Sequence, residues 1–144
     1  MNAEEMWAQF AARSHVDAPY EAWAFGCDAD KLAQLVLEGT KTATASAFPL
    51  YAVDQESLPE AGQYSVILDS KDEAVCIIRC TGVTMVPFSQ VSEDHAYREG
   101  EGDRSLEYWR TVHREIFQRW MQEAQLTFSE DMPVVCETFR RVFP

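Results

Sequence analysis

Lys41 is the residue of this chain best suited to do chemistry. It stands in Gly39-Thr40-Lys41-Thr42-Ala43-Thr44-Ala45-Ser46, a lone lysine among small hydroxyl residues. Burial in a pocket penalises the charged form of an amine, which would let Lys41 act as a base toward the Thr44 hydroxyl. Residues three apart share a face in helical or 3₁₀ geometry, whereas in a strand they point to opposite faces. The KxxT pattern therefore reads two ways, as a base and nucleophile across a turn or as a solvated lysine after a helix, and backbone shape decides between them.

Other chemistry-bearing residues are fewer. Glu99-Gly100-Glu101-Gly102-Asp103 offers carboxylates on a glycine-rich loop, which could ligate a divalent cation or form a solvated acidic turn that favours the next helix N-terminus. The segment lacks the twelve-residue EF-hand pattern. Trp23 and Phe25, in the aromatic run Tyr20–Gly26, could stack on a base or belong to the core. His113 reads as a satisfied core histidine, and Ser129 approaches a pocket only if the strand ends lie beside Lys41. The four cysteines are spread out with no CxxC, and the three histidines are scattered. Reduced thiols, no metal and no cofactor are the expectation. There is no GxSxG, HExxH, P-loop or dinucleotide fingerprint.

The elements that must position these residues follow from periodicity. Asn2–Ser14 has Met6, Trp7, Phe10 and Ala11 at helical spacing, with Asn2 and Glu5 forming a capping pair. From Asp28 to Glu38, Leu32, Leu35 and Val36 predict a second helix with an aspartate near its start, which Gly39 ends. Lys41 thus begins a stretch where the chain must change direction. Residues 47–61 read as a loop around Phe48, Leu50 and Tyr51. Gln63–Asp69 and Ala74–Thr84 read as an antiparallel hairpin with a bulge or bend at Gly82. Ser92 caps a short helix through Tyr97. The longest helix runs from Ser105 to Ala124, with Leu106, Trp109, His113, Ile116, Phe117 and Trp120 in one apolar stripe. Pro133–Phe143 alternates as a closing strand that places Cys136 inside. This order predicts an α+β fold with a small, mostly antiparallel sheet or barrel.

Composition limits the partners. At 144 residues the chain can bury roughly two-thirds of its unfolded surface in one core, so one domain over 1–144 is expected. The net charge of −12, with 12 basic against 24 acidic residues, excludes a broad duplex DNA surface. A recessed site for a nucleoside, a nucleotide or a few unpaired RNA bases is compatible with that charge. No run reaches the roughly 18 apolar residues of a membrane span. The acidic start Met1-Asn2-Ala3-Glu4-Glu5 lacks the regions of a signal peptide, so a cytoplasmic location is expected and no membrane partner.

Taken together, Trp23-Ala24-Phe25-Gly26, Gly39 through Ser46, His95-Ala96 with Glu99 through Asp103, Trp109, and Pro133-Val134-Val135-Cys136-Glu137 resemble the ASCH domain family. The similarity runs in order over nearly the whole chain from Tyr20. It implies a PUA-like β-barrel flanked by helices, with residues 1–19 as a helical extension and 20–144 as the domain core. It also implies a cleft holding the GxKxxT residues, with Thr42 and Ser46 beside Lys41 and Thr44. Family members are linked to RNA binding and processing, to ribonuclease activity in some bacterial members, and to amide hydrolysis of N4-acetylcytidine in small ones. In the amidohydrolases the lysine and threonine of KxxT act with a glutamate on a strand. Lys41 and Thr44 match the first two, and alignment of the strand puts Arg79 at the glutamate position. An arginine accepts no proton. Arg79 beside Lys41 would make a positive spot for phosphate or carboxylate; alternatively Glu99 or Glu101 folds over the cleft and supplies the acid. The resemblance therefore implies an RNA- or nucleotide-binding module or, alternatively, a hydrolase using Lys41 and Thr44. A non-catalytic protein-interaction role is a third reading.

Overall fold

A computed structural model describes all 144 residues. In chain order the elements are α1 (Ala3–Ser14), β1 (Tyr20–Ala24), α2 (Ala29–Glu38), β2 (Ala43–Ala47), α3 (Phe48–Val53), β3 (Tyr64–Leu68), β4 (Ala74–Pro87), a 3₁₀ turn over Phe88–Gln90, α4 (Glu93–Glu99), α5 (Leu106–Glu123) and β5 (Pro133–Phe143). The five strands form one sheet in the order β1-β3-β4-β5-β2. Only β1 and β3 pair in parallel. The result is an α+β fold built on a mixed, mostly antiparallel half-barrel.

The spine is the long β4–β5 pair, which runs from Ile77 opposite Phe143 to Pro87 opposite Pro133. Its register slips between Cys80 and Gly82, so Gly82 does mark a bulge, and bulges of this kind bend and twist a sheet. The strand continues to Pro87, three residues past the expected end at Thr84. Tyr20–Ala24, the first part of the aromatic run and given no element from periodicity, is an edge strand parallel to β3. Five residues without clean alternation carry too little pattern to announce a strand. Residues 48–53, expected in a loop, form the one-and-a-half-turn helix α3, in which Pro49 sits in the first turn, where its missing N–H costs nothing.

Helices cover both faces of the sheet. On one, Phe88, Trp109, Phe117 and Met121 pack with Val134 and Cys136 beneath α5. On the other, Leu32, Ala33 and Val36 of α2 pack on Ile67, Cys76, Ile78 and Phe139, while Met6 and Phe10 of α1 pack on Tyr64, Val66 and Ile77, the alternate residues of β3 and β4 and so the face turned away from α2. Val66 and Ile67 are adjacent in sequence and serve different clusters, which is why Val66-Ile67-Leu68 reads as an unbroken apolar run. Each such side chain contributes on the order of 1.5–3 kcal/mol of burial free energy. All four cysteines are free; Cys76, Cys80 and Cys136 are buried as expected, whereas Cys27 is exposed. No helix is long and apolar enough to cross a membrane.

Candidate functional site

Two adjoining regions hold the chemistry-bearing side chains, a buried ion cluster around Lys41 and an open cleft on the face of β2 that carries Thr44. Lys41 is placed by the way α2 stops. Gly39 takes the left-handed conformation (φ +86°), and the N–H groups of Thr40 and Lys41 both donate to the Leu35 carbonyl, at 3.0 and 3.1 Å. The next residue is clamped from both sides. The Thr42 N–H donates to the Arg98 carbonyl at the end of α4 (2.7 Å), and the Thr42 carbonyl accepts from the Phe139 N–H of β5 (2.9 Å). Lys41 is thereby turned inward and is only 1% exposed. Its ammonium donates to the Glu99 carbonyl at 3.3 Å, Glu99 Oε1 at 3.2 Å and Glu101 Oε2 at 3.1 Å. An ammonium has three donors, and all three are engaged.

Glu99 is the hub of this cluster. Ser92 caps α4 by accepting from the His95 N–H, and the helix then brings His95 and Glu99 onto one face, where His95 Nε2 donates to Glu99 Oε2 at 2.9 Å. Helix α5 supplies Trp109, whose indole N–H donates to the same oxygen at 2.5 Å, and His113, whose Nε2 lies 3.7 Å from Oε1. The two rings stack with centroids 4.1 Å apart. Burial pushes the Glu99 carboxyl up, but the Lys41 ammonium, the hydrogen bonds from His113 and His95 and the charge of His113 overcome it and hold the carboxyl well below the usual carboxylate range. Burial lowers His113, and the Glu99 carboxylate more than offsets this, so its pKa is raised. The tautomer agrees: Nδ1 donates to the Trp109 carbonyl at 2.8 Å, so a neutral ring would aim its Nε2 lone pair at a carboxylate.

Gly100 ends α4 in the left-handed conformation (φ +73°), where a Cβ would lie 2.7 Å from the Thr40 carbonyl oxygen. That close approach is what brings Glu101 back over Lys41. Glu99, Glu101 and His113 hold their ligand atoms within 4.8 Å of one another, a spacing that suits a metal ion, but the Lys41 ammonium already lies between the two carboxylates.

The neighbouring cleft encloses about 860 Å³. Trp23 and Phe25, packed edge to face at 5.0 Å, form one wall, with Thr44, Ser46, Tyr51 and Glu137 among the polar groups lining it. Thr44 pairs directly with Glu137 across β2 and β5, so the two side chains share the cleft face. Ser46 Oγ and the Tyr51 hydroxyl are 2.6 Å apart. The Glu137 carboxylate accepts no hydrogen bond from an N–H or O–H group. Burial pushes its carboxyl up, the Cys80 thiol opposes that rise, and Glu21 adds to it. No lysine or arginine lines the cleft. Phe25 joins the two regions, since its ring lines the cleft and has the Lys41 ammonium 5.3 Å from its centroid.

Of the residues expected together, Lys41, Glu99 and Glu101 meet in the ion cluster, and Trp23, Phe25, Thr44 and Ser46 meet in the cleft. Lys41 and Thr44 make no hydrogen bond to each other, and Thr42 is spent on the backbone clamp. Arg79 does not stand beside Lys41. The register of β4 sets it opposite Tyr64 and Arg140, where its Nε donates to the Gly62 carbonyl at 3.2 Å and its guanidinium covers the Tyr64 ring. The carboxylate at Lys41 arrives from the end of α4. Ser129 is exposed in the turn before β5 and does not line the cleft. His113 is the satisfied buried histidine expected and Trp109 belongs to the apolar stripe as expected, but their contacts with Glu99, like the roles of His95 and Glu137, went unassigned from sequence. Two i,i+4 pairs, His95–Glu99 and Trp109–His113, signalled the Glu99 contacts, whereas Glu137 depends on strand register.

The ASCH domain family model matches residues 21–143. A search of curated proteins finds no match. Among solved structures, protein EF3133 from Enterococcus faecalis V583, of the family DUF984, is 37% identical over 99% of this chain and 88% of that one, with a TM-score of 0.90. An ASCH domain from Lactobacillus crispatus JV V101 is 32% identical over 98% and 94%, with a TM-score of 0.89. The hypothetical protein PH0355, 14% identical over 85% and 98% with a TM-score of 0.55, shares the fold alone. With the family match spanning β1 to β5 and the two closely superposing structures covering the ion cluster and cleft alike, the chain belongs to the ASCH domain family.

Proposed function

We propose that this protein is a hydrolase that cleaves an amide-type bond of a modified nucleoside held in the Thr44 cleft. The observation that carries this reading is the pairing of Lys41 with the Glu99 and Glu101 carboxylates beside an aromatic-walled cleft. In the reaction water adds to the acyl carbon, the C–N bond breaks and the leaving nitrogen takes a proton, giving a carboxylic acid and an amine. Thr44 contacts the acyl group from the cleft face. Lys41 supplies positive charge to the developing oxyanion once Glu101, the one partly exposed member of the cluster at 19%, releases its N–H. Glu99, saturated with donors, holds the lysine in place and is a poor proton acceptor.

A second reading, binding of a nucleoside, nucleotide or single-stranded RNA without chemistry, draws support from Trp23 and Phe25 as a stacking wall. Phosphate-bearing ligands have less support, because Arg79 is engaged elsewhere and no basic side chain lines the cleft. A cytoplasmic setting, where thiols stay reduced, suits the four free cysteines.

The test is to incubate purified protein with N4-acetylcytidine and follow release of cytidine and acetate. The expected outcome is turnover that falls about 100-fold or more in Thr44→Val and in Lys41→Met. Intact acetylcytidine with the wild-type protein would overturn the hydrolase reading, and wild-type rates in both variants would remove these residues from it.

A further inference from the structure

We infer that Glu137 selects the ligand of the cleft, accepting a hydrogen bond from the N–H edge of an uncharged heterocycle and turning phosphate away, so that free nucleosides or bases are taken in preference to nucleotides and RNA. This rests on the cleft being the binding site proposed above, and not on hydrolysis.

The cavity carries the argument. Glu137 sits on the cleft face of β5, flanked in register by Thr44 of β2 and Val83 of β4, so the sheet fixes its direction on both sides. It is half-buried, yet no N–H or O–H group of the protein donates to it. A carboxylate taken partly out of water with only the weak Cys80 S–H beside it costs free energy, and a ligand N–H is the group that recovers it. The cleft around it, about 860 Å³, is large enough for a nucleoside, and the Trp23–Phe25 wall gives a base a face to stack on. Thr44, Ser46 and Tyr51 leave hydroxyls for the sugar or the acyl group. Glu21 and Glu56 line the same cavity and no lysine or arginine does. A phosphate entering it would meet like charge, with no cation among the lining side chains to offset the repulsion. The nearest ammonium, Lys41, lies behind Phe25 with its donors on Glu99 and Glu101. Burial pushes the Glu137 carboxyl up and the Cys80 thiol only partly opposes it, which accords with a group that a stronger donor would satisfy.

The experiment is calorimetric titration of the whole protein with cytidine, uridine and cytidine 5′-monophosphate. Cytidine presents an amino donor at C4 beside an unprotonated N3, and uridine a C4 carbonyl beside an N3–H, so the two place their N–H donors at different positions of the edge, and Glu137 is assigned to the C4 amino position. Cytidine should bind at least about 10-fold more tightly than either of the others, and the penalty on the monophosphate should shrink as salt is added. Glu137→Gln keeps the shape, and its amide can donate as well as accept, so it should narrow both preferences to within about 3-fold. Glu21→Gln should narrow only the penalty on the monophosphate. Equal or tighter binding of the monophosphate by the wild-type protein overturns the inference, as does unchanged preference in Glu137→Gln or the absence of binding to any of the three. If cytidine binds with these preferences while acetylcytidine stays intact, the inference stands and the hydrolase reading falls.

Discussion

Two carboxylates of this protein, one beside Lys41 and one beside Thr44, could hardly be treated more differently. Glu99 is buried and ringed by Lys41, His95, Trp109 and His113, and its carboxyl is held well below the usual range. Glu137 is half-buried in the open cleft, accepts from no N–H or O–H group, and its carboxyl is pushed up by burial. A carboxylate satisfied by its own protein contributes to structure and has little left to offer a ligand. One left unsatisfied weakens the fold locally and keeps its hydrogen-bonding capacity for whatever enters. The comparison assigns to Glu99 the holding of Lys41 and to the β2–β5 face the recognition of a ligand, with Phe25 joining the two regions.

The sharpest way to break this comparison is to remove the cation at the centre of the first region. Lys41→Met keeps most of the volume and leaves Glu99 and Glu101 facing each other without their shared ammonium. Loss of one partner of a buried pair costs on the order of 3–5 kcal/mol. Urea unfolding should show a loss of that size, and a loss below about 1 kcal/mol would mean that the cluster is not what holds α2, α4 and α5 together.

Much of this architecture was legible from sequence, and the exceptions share a cause. The Gly39 stop, the Ser92 cap, the apolar stripe of α5 and the closing strand all follow from local pattern, and each falls within a residue or two of its expected bounds. Lys41 was legible because it stands among small hydroxyl residues just after a helix stop, in a KxxT pattern that resembles the family's. The identity of its acid was not. Alignment along the hairpin strand pointed to Arg79, but whether a residue of β4 faces α2 or Tyr64 depends on register, and the partner comes instead from a helix end held against Thr42 by one backbone hydrogen bond. Glu137 was hidden for the same reason, since its pairing with Thr44 joins residues 93 positions apart.

A smaller effect should appear as pH is varied. Glu99 has a folded pKa below its ordinary 4.5, so its contribution is full above that value and is lost as pH falls through the lowered one. His113 has a folded pKa raised above 6.5, so its contribution is full below 6.5 and is lost as pH rises through the raised value. The cluster is therefore firmest between about 4.5 and 6.5. Unfolding midpoints should decline on both sides of that window, and His113→Gln should flatten the alkaline side while leaving the acid side in place. An alkaline decline of unchanged size in that variant would show that another group drives it.

The smallest effect is also the one that separates the two carboxylates most cleanly. Glu137 has a folded pKa raised above 4.5, so relative to the unfolded chain it favours the fold below 4.5 and loses that advantage as pH rises through its folded value. At neutral pH the ionised group is half-buried without a donor, and a glutamine in its place has no charge to desolvate. Glu137→Gln should therefore stabilise the protein at pH 7, by less than about 1 kcal/mol because partial exposure lets water screen the charge. The gain should vanish or reverse at pH 4. A destabilisation at pH 7 would mean that the carboxylate is satisfied within the fold after all, which would place Glu137 beside Glu99 as a structural group and remove the contrast between the two regions.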